Sequence, residues 1–500
     1  MLMKVFFISL LCFSSFSNEY KLDSSSKCFG YDKVPISTQD GSCVGMVVSS
    51  DEGLRKPRKV IQIKPNHFLV TDMVNWSEGR GILWDIKLIN SKPVLTKLFT
   101  NLDRPHGLRK GPDGLIYVGE ASQLFRFNIE NPNETKEIVI SDIPSKGKHP
   151  LSEFIFTSDS RIILNIGAPT DQCLKEGRKA TYPCKQAESE ALLREYTLND
   201  DGSYSFNSNL AYGLRNSMGL VELDSGEIIQ FNNGMDFKQE ETPLEEINLI
   251  SPGKNYGWPY CYEDGKLNKS YKRSFFNRRI PKIDCSIYSS PIGHLPAHSA
   301  PLDAKLYNGE MFPEFKGKIL VSLHGYRKSG QRIIALNVKE ESADDFEEVV
   351  FNWQAKSGIR PKGAPVGLEI GQDGEVYFLD DKNKTLMVMA KGNAHRSNED
   401  QIVEEIEFDL NVETFTNIQK TVLNKHCIQC HSSFHGKAKD VASELVKSGL
   451  VLTGNALESE LYKRVTGTSQ NMMMPPSGIS ISEFDKELIK NWIESISTRE

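Results

Sequence analysis

The hydrophobic and polar residues of this 500-residue chain follow two patterns, and the change between them falls near position 395. In the first pattern, a turn is followed by a run of β-branched, aromatic and other apolar residues, and this unit recurs along the chain. Its copies are Pro65–Val70, Asp113–Val118, Asp159–Leu164, Ser225–Ile229, Lys316–Val321 and Asp373–Phe378. Because Asp-Gly and similar turns before such runs are strong hairpin signals, each copy predicts antiparallel strands.

Six copies of one hairpin unit predict a six-bladed β-propeller, since each blade buries its faces only by stacking on its neighbours. We place this mainly-β domain at residues 28–395. Two intervals between copies are too long for a plain blade, and each contains two cysteines, which indicates loops stapled by disulfides. A pair of β-sandwiches is the alternative that the pattern leaves open.

A mixed acidic and polar stretch at residues 396–410 predicts a linker, and apolar residues recur at helical spacing after it. They are Phe415, Ile418 and Val422 in one segment and Phe484, Leu488, Ile489, Trp492 and Ile493 in another. Ser482 followed by Asp485 predicts an N-terminal cap for the last helix. We therefore expect a small all-α domain at residues 411–500.

The first 17 residues have the order of a signal peptide, with the basic Lys4, the apolar run Val5–Phe13 and small residues up to Ser17. We expect cleavage after Ser17, and a lipoprotein anchor on Cys12 or a plain apolar N-terminus are the alternatives. No later stretch of the sequence is long and apolar enough for a transmembrane helix. The expected location is periplasmic or secreted, in a bacterium, with no membrane span.

The net charge of −6 is small for this length and argues against a nucleic-acid partner, but it selects no function. Cysteine usage is more informative, because oxidising compartments favour disulfides. Six of the nine cysteines fall as neighbours along the chain, and we expect the pairs Cys28–Cys43, Cys173–Cys184 and Cys261–Cys285. Other connectivities and free thiols remain open on sequence grounds.

The last two cysteines belong to Cys427-Ile428-Gln429-Cys430-His431, the attachment sequence of c-type haem. In this motif Cys427 and Cys430 add to the haem vinyl groups, which aims the adjacent His431 at the iron. A thioredoxin-like redox pair and half of a zinc site are the alternatives. The first would lie in a βαβ pattern and the second needs another cysteine pair, and the sequence offers neither.

The predicted helices around this motif, with Met474 directly before a proline pair, resemble the small bacterial cytochromes c over residues 410–497. The resemblance implies that His431 and Met474 ligate the haem iron. Histidine–methionine ligation suits electron transfer rather than oxygen binding. The alternatives for the second ligand are Met472, Met473 and His435.

Several segments of the propeller region, in the same order, resemble the soluble glucose and sorbosone dehydrogenases that use pyrroloquinoline quinone (PQQ). They are Arg104–Leu108, Pro112–Glu120, Tyr212–Leu220, Glu245–Pro259, Leu323–Gly325 and Pro365–Gly367. The resemblance extends over most of residues 100–390. It implies a six-bladed propeller, a sugar, aldose or related alcohol as substrate, and PQQ and calcium as cofactors.

The resemblance also implies roles for individual residues. His149 matches the base that removes the hydroxyl proton of the substrate, a task that suits a neutral histidine. Arg215 and Asn216 match residues that contact PQQ, whose three carboxylates and quinone oxygens need cationic and amide donors. Asn233 stands where the glucose enzyme has a glutamine, and Ala168 stands where the family has an aspartate.

Calcium and further quinone contacts are implied in the same way. Gly234 and Met235 match the backbone carbonyl ligands of a calcium ion, which takes such oxygen ligands readily. Glu246 is a candidate ligand for a second calcium, with a solvated side chain as the alternative. His324 and Arg327 match a further basic cluster at the quinone.

These expectations combine into an exported quinohaemoprotein that oxidises a sugar or related alcohol and holds PQQ, calcium and haem c. Its electrons would go to an external acceptor such as a soluble cytochrome or a respiratory component. Two other classes remain open. The propeller is a binding module beside an electron-transfer cytochrome in one, and a lactonase-like hydrolase with calcium but no quinone in the other.

Overall fold

The computed structural model describes most of the chain from residue 20 onwards. The described residues are 20–89, 91–175, 179–180, 182–274, 279–338, 342–343, 345–353, 355, 362–394, 408–428, 431, 434–469, 473–475 and 481–498. The predicted signal peptide at residues 1–17 lies outside these ranges, as do residues 396–407 of the predicted linker. Within them, no helix is long and apolar enough to cross a membrane.

Six antiparallel sheets follow one another along the chain and form the blades of a propeller. The strands of blades 1 to 3 are Pro57–Lys64, His67–Asp72, Gly81–Ile89 and Lys92–Leu102; Leu108–Lys110, Ile116–Gly119, Leu124–Phe127 and Glu137–Ile140; and Phe154–Phe156, Ile162–Ile166, Leu192–Leu198 and Tyr204–Tyr212. The strands of blades 4 to 6 are Ser217–Glu222, Ile228–Asn232, Glu245–Leu249 and Gly293–Leu295; Pro301–Leu306, Ile319–Leu323, Arg332–Leu336 and Phe346–Phe351; and Pro365–Ile370, Val376–Asp380 and Thr385–Lys391.

Strands from the N-terminal part of the chain complete blades 5 and 6 and thereby close the ring. Ser42–Val48 pairs with Thr385–Lys391 of blade 6. Tyr31–Lys33 and Asp23–Cys28 extend that sheet outwards, and Ser37–Thr38 joins the outer strand of blade 5. Because the first and last parts of the propeller share a sheet, opening the ring requires breaking these strand pairs.

Each of the recurring turn units lies between the first and second strands of a different blade. The prediction of a six-bladed propeller is therefore confirmed, and the alternative of paired sandwiches is wrong. Gly114 and Gly374 of the two Asp-Gly turns have φ angles of +80° and +86°. Glycine reaches this region without a Cβ clash, which is why the sequence pattern marks these turns so clearly.

Neighbouring blades bury apolar and aromatic side chains against one another. The ring centroids of Phe68 in blade 1 and Tyr377 in blade 6 are 4.7 Å apart, and those of Tyr117 in blade 2 and Phe156 in blade 3 are 4.8 Å apart. Edge-to-face pairs of this kind contribute about 0.5–1.5 kcal/mol beyond the area they bury. The propeller core is thus a ring of interfaces between blades, as the stacking argument requires.

All three expected disulfides are present, so the predicted connectivity is confirmed. Cys28–Cys43 joins two N-terminal strands of the blade 6 sheet, and the other two pairs staple long loops of blades 3 and 4. The remaining short elements are the hairpins Leu174–Lys175 with Lys179–Ala180 and Cys261–Tyr262 with Lys266–Leu267, and the helical turns Pro132–Thr135, Lys185–Glu188, Lys269–Tyr271, Cys285–Ile287 and Pro313–Phe315.

The C-terminal region is a small helical unit with its own apolar core. Its elements are the helix Val412–Ile418 with its continuations Gln419–Leu423 and Asn424–His426, the helices Ala438–Lys447, Glu460–Thr466 and Glu483–Ser495, and the paired strands Phe408–Asp409 and Ser497–Thr498. Trp492 is fully buried, and its Nε1 donates to the Leu410 carbonyl at 2.7 Å.

The sequence prediction for the last helix is confirmed at its start but wrong for one side chain. Ser482 Oγ accepts from the Asp485 backbone N–H at 3.1 Å, as a capping residue does. Phe484, expected in the apolar stripe, is 76% exposed. The buried Ile481, which precedes the cap, packs into the core at this end of the helix instead.

Candidate active site

Loops on one face of the ring enclose a cavity of ≈ 450 Å³ at the propeller axis. These loops either follow the second strand of a blade or connect one blade to the next, and both kinds open on the same face because the strands are antiparallel. The lining includes most of the residues that the sequence placed at a cofactor, namely His149, Arg215, Asn216, Asn233, Gly234, His324 and Arg327. Met235 and Glu246 lie outside the cavity lining.

His149 is held by a backbone carbonyl. Its Nδ1 lies 2.5 Å from the Ala168 oxygen, and because that oxygen can only accept, Nδ1 carries the proton and Nε2 keeps its lone pair. Burial, together with the nearby charge of Arg215, lowers the pKa of His149 to about 3. The ring is therefore a neutral base at physiological pH, and Ala168 orients it through its main chain where the family resemblance has an aspartate side chain.

Arg215 is buried between two carboxylates. Its guanidinium donates to the Asn233 carbonyl at 3.0 Å and lies 2.9 Å from both Asp171 and Asp236. Burial alone would raise the pKa of Asp171, but the charge of Arg215 holds it below the ordinary value. The Nε of Arg215 is buried and meets no acceptor among the described residues.

Hydrogen bonds that involve three asparagines fix one side of the cavity. Asn165 donates to the Asn216 side-chain oxygen at 3.3 Å, and Asn233 Nδ2 donates to the carbonyls of Asn216 at 3.3 Å and Pro301 at 3.0 Å. These contacts tie the connection between blades 3 and 4 to the second strand of blade 3, to the residue after the second strand of blade 4 and to the first strand of blade 5. The side chains are thereby fixed before any ligand binds.

Gly234 and Met235 have different surroundings. The Gly234 N–H donates to Glu245 Oε2 at 2.5 Å, and Ala300 donates to the other oxygen of the same carboxyl at 3.2 Å. Burial raises the pKa of Glu245 to about 7. Met235 is buried and packs beside Trp258, and its carbonyl accepts from Phe237 at 2.9 Å. Glu245 thus fixes the backbone that the sequence predicts to bind calcium.

Glu246, predicted as a possible second calcium ligand, points away from the cavity into a hydrogen-bonded interior. Its carboxyl accepts from the Glu263 N–H at 2.7 Å and from Asn232 Nδ2 at 3.1 Å. Burial raises the pKa of Glu246 to about 7. In the described ranges, no group of three or more histidine, cysteine, aspartate or glutamate side chains is arranged to hold a metal. The second calcium stays a prediction from sequence.

His324 and Arg327 occupy the opposite half of the ring from His149. His324 Nε2 is 2.9 Å from Asp381, whose second oxygen accepts from Arg58 at 2.7 Å. Burial would raise the pKa of Asp381, but His324, Arg58 and Lys56 hold it well below its ordinary range. Arg327 donates to the backbone carbonyls of residues 237 and 239 at 3.0 and 2.9 Å, which ties blade 5 to the loop of blade 4.

The cavity carries more cations than carboxylates. The cations are Lys56, Arg58, Lys148, Arg215 and Arg327, and the carboxylates are Asp236, Glu245 and Asp381. Because the pKa of Glu245 is raised, this carboxyl carries only part of its negative charge near neutral pH, which lowers the total negative charge of the lining further. Such a cavity favours a ligand with several negative charges.

Residues 36–392, which include all six blades, match the family model described as TrAA12-like. The chain belongs to the TrAA12-like family. This assignment covers the propeller and leaves the helical C-terminal region outside the matched range.

Solved structures share the fold of this TrAA12-like propeller. An iodide structure of the Trichoderma reesei Carbohydrate-Active Enzymes Family AA12 superimposes with a TM-score of 0.56 at 17% identity, covering 71% of this chain and 97% of the other. The holo form of a pyranose dehydrogenase PQQ domain from Coprinopsis cinerea gives 0.54 at 18% identity, with 73% and 100% coverage. At these identities the similarity establishes the fold.

Two relatives found by sequence are uncharacterised proteins. One, from Borreliella burgdorferi, is 33% identical over 183 residues, which are 34% of this chain and 46% of the relative. The other, from Synechocystis sp., is 24% identical over 251 residues, which are 47% of this chain and 54% of the relative. The chain spans about half the length of these curated relatives.

An ionic network beside the cavity of the TrAA12-like propeller was missed by the sequence reasoning. Arg58 Nε donates to His106 at 3.2 Å, and the other nitrogen of His106 lies 3.3 Å from Glu153. Lys59 joins Glu153 at 3.0 Å to Asp303 at 2.6 Å. The residues come from blades 1, 2, 3 and 5, so no local motif connects them. The sequence feature that could have indicated this network is a charged residue within an apolar strand segment, such as Lys59.

In the helical region, two predicted haem ligands lie among described residues. His431 donates its backbone N–H to the Cys427 carbonyl at 3.0 Å, and its ring packs beside Phe434 with centroids 5.2 Å apart. Met474 is half-buried, and its N–H donates to the Arg464 carbonyl at 3.0 Å. Of the alternative ligands, Met473 is 45% exposed and His435 is exposed. Cys430 and Met472 lie outside the described residues.

Proposed function

We propose that this chain is an exported oxidoreductase that oxidises a sugar, aldose or related alcohol with PQQ and calcium and delivers the electrons to a haem c on its own C-terminal domain. One observation carries the proposal. His149 and Arg215 line the same cation-rich cavity. His149 is a neutral histidine with an open Nε2, and Arg215 is a buried arginine with an N–H that meets no acceptor among the described residues.

The cavity fits PQQ by its donor chemistry. Three carboxylates need several cations, and Arg215, Arg327 and His324 supply positive charge or N–H donors around one space. The Nε of Arg215, which has no acceptor among the described residues, is the specific evidence for a ligand, because an unpaired buried N–H is costly unless a ligand accepts its hydrogen bond. The PQQ domain named in the Coprinopsis cinerea structure has the same fold. When bound, PQQ supplies a two-electron acceptor for a hydride from the substrate carbon.

The protein's own contribution to the reaction is the handling of charge and proton. His149 Nε2 takes the hydroxyl proton of the substrate, and the low pKa of the ring keeps that nitrogen unprotonated before the reaction. Arg215, fixed by Asp171 and Asp236, stabilises negative charge that develops in the cavity without having to reorganise.

Calcium would bind at the backbone carbonyls of Gly234 and Met235. Glu245 holds the Gly234 N–H, so the carbonyl side of this segment has a fixed direction. A calcium structure of the Trichoderma reesei AA12 family shares the fold with a TM-score of 0.55. When bound, calcium acts as a Lewis acid on an oxygen of the quinone.

Haem c would be held by Cys427, Cys430, His431 and Met474 in the helical region. When bound, it supplies a one-electron carrier with the histidine–methionine ligation typical of electron transfer. Tethering gives the propeller an acceptor at a high effective concentration, and an external carrier such as a soluble cytochrome or respiratory component would receive the electrons. The three disulfides support a periplasmic or secreted location, and the predicted signal peptide at residues 1–17 is the proposed export signal.

The role of His149 is tested by the variant His149→Gln, assayed with PQQ, calcium, a sugar panel and an artificial dye as electron acceptor. Loss of a general base costs about 10²–10⁴-fold, so we expect turnover to fall by at least about 100-fold. His298→Gln is the matched control, because His298 also lines the cavity but its Nε2 is bonded to the residue 239 carbonyl at 2.7 Å.

Equal turnover of His149→Gln and His298→Gln would refute the assignment of the base. Hydrolysis of lactones by the wild type, with no sugar-dependent dye reduction, would replace the dehydrogenase with a hydrolase. Binding of a sugar without any chemistry would leave the propeller as a binding module.

A further inference from the structure

Two aromatic side chains stand at the rim of the cavity, outside the predicted cofactor set. Trp76 is 55% exposed and Tyr326 is 54% exposed, yet both line the cavity. The other tryptophans described, at positions 84, 258, 353 and 492, are buried. Aromatic side chains offer large, rigid apolar faces, and at the edge of a polar cavity such faces are available for stacking on a ligand.

The loop that carries Trp76 is fixed at its base by the carboxylate of Asp72. This carboxylate accepts four hydrogen bonds, from the backbone N–H groups of Arg55 at 2.7 Å, Lys56 at 2.8 Å and Val74 at 2.7 Å, and from Trp84 Nε1 at 3.2 Å. Val74 has a φ angle of +61°, which a β-branched residue rarely adopts. Strain of this kind persists where the surroundings enforce it, and it concentrates at ligand sites.

Further contacts fix the loop along its length. Met73 is fully buried against Leu151 and Met218, and the guanidinium of Arg104 lies 3.3 Å from Glu78. Trp76 therefore follows a segment of the loop that is anchored by Asp72 and Met73. A ligand that stacks on it does not have to order the loop, which preserves binding energy.

The two aromatic residues come from blades on one side of the cavity, and the predicted base comes from blades on the other side. Trp76 belongs to blade 1 and Tyr326 to blade 5, which are the two neighbours of blade 6 in the ring. His149, Arg215 and Asn233 come from the connections and strands of blades 2 to 4. In a closed ring of six blades these sets face each other across the axis. The base lies in one half and the aromatic pair in the other.

We propose that Trp76 and Tyr326 form a second saccharide subsite, so that the preferred substrate is a di- or oligosaccharide rather than a free monosaccharide. This inference rests on the proposed function, in which a sugar is oxidised at His149. The C–H faces of a pyranose ring are apolar and its hydroxyl rim is polar. A ring next to the oxidised one would stack on the aromatic faces, while Lys56, which lines the same half of the cavity, supplies a donor for its hydroxyl groups.

The test is calorimetric titration of the full-length, haem-loaded protein without quinone, so that binding is measured without turnover. The probes are D-glucose and cellotriose, whose β-1,4 linkages leave the C–H faces of each ring open. The variants are Trp76→Ala, Tyr326→Ala and the conservative Trp76→Phe. Phe206→Ala is the matched control, because Phe206 is also 55% exposed but lies on the outer strand of blade 3, outside the cavity lining.

We expect cellotriose to bind at least about tenfold more tightly than glucose, and Trp76→Ala and Tyr326→Ala to lower cellotriose affinity by about tenfold each. Glucose affinity should stay within about twofold in both variants, Trp76→Phe should restore most of the loss, and Phe206→Ala should change neither ligand. With quinone and calcium added, the same two alanine variants should raise KM for cellotriose and leave kcat unchanged.

Equal affinities of wild type and Trp76→Ala for cellotriose, or no binding of any saccharide, would overturn the subsite. The failure of the two proposals can be told apart. Tight cellotriose binding that depends on Trp76, without sugar oxidation, supports the subsite and refutes the dehydrogenase. Sugar oxidation with the same KM in the wild type, Trp76→Ala and Tyr326→Ala supports the dehydrogenase and refutes the subsite.

Discussion

At the residue scale, burial sets the charge states of the groups around the cavity. It lowers the pKa of His149 to about 3 and that of His106 to about 4, so both rings are neutral at physiological pH. Asp381 is as deeply buried, but His324, Arg58 and Lys56 keep it charged. Burial therefore accounts for both features of the site: the neutral base His149 and the charge states of the ionic network beside it.

The low pKa of His106 predicts a pH-dependent contribution to stability. The ordinary value near 6.5 applies to the unfolded chain, which therefore takes up a proton between pH 6.5 and 4 that the folded chain does not. The contribution is complete above pH 6.5 and is lost as the pH falls, by roughly 3 kcal/mol. We expect His106→Gln to lower the free energy of unfolding clearly at pH 7.5 and much less at pH 4.5.

Urea unfolding of the propeller at the two pH values measures this difference. His435→Gln, which changes an exposed histidine of the helical unit, is the control and should show no such pH dependence. If His106→Gln destabilises the protein equally at pH 7.5 and 4.5, folding does not lower the pKa of this ring.

Sequence reasoning reached some residues of the site but not others, for a physical reason. His149, Arg215 and Gly234 stand in or near recognisable motifs, and the structure places them in one cavity. Lys59 and Glu153 meet only because blades 1 and 3 face the same axis, and no local spacing records that contact. The Ala168 carbonyl could not be foreseen as the partner of His149, because a main-chain acceptor leaves no trace in the residue type.

At the element scale, the sequence predicts the local hairpins but does not predict how the ring closes. A turn and its flanking apolar run are encoded within a few residues, so each blade's first hairpin appears in the sequence. The strand Ser42–Val48 finds its partner Thr385–Lys391 at the far end of the propeller, and only the completed ring brings the two together. The long stapled loops were located correctly because their cysteines are neighbours along the chain.

The disulfide at the closure predicts a measurable stabilisation. Cys28 and Cys43 are separated by 15 residues and join the strands that complete blade 6. A crosslink over a loop of this size contributes about 3 kcal/mol by restricting the unfolded chain. We expect the double variant Cys28→Ala/Cys43→Ala to lose about that much free energy of unfolding, measured by urea denaturation of the propeller.

Removing the pair Cys261 and Cys285 in the same way is the matched control. That pair closes a longer loop in blade 4, with a sequence separation of 24, so restriction of the unfolded chain predicts a loss of similar size. An unchanged unfolding midpoint after removal of Cys28 and Cys43 would show that this crosslink does not stabilise the N-terminal strands of the blade 6 sheet.

At the scale of the whole molecule, the chain combines a cavity suited to an anionic cofactor with a helical unit that carries a haem attachment sequence. The TrAA12-like match ends at residue 392, and the helical unit begins after it, so the proposed electron transfer joins two separate parts of one chain. Within a single chain the acceptor is always present at the same effective concentration. Reduction of the haem by substrate should therefore be a property of one molecule rather than of collisions between molecules.

The most direct test of the account is the visible spectrum of the oxidised full-length protein, followed by stopped-flow after mixing with sugar, at several protein concentrations. With PQQ and calcium present, we predict that the haem bands change to those of the reduced form, at a rate that does not depend on protein concentration, and that leaving out quinone or sugar abolishes the change. Haem that dithionite reduces but no sugar ever reduces, or a rate proportional to protein concentration, would contradict the proposal that the propeller oxidises a substrate and passes its electrons to the haem of the same chain.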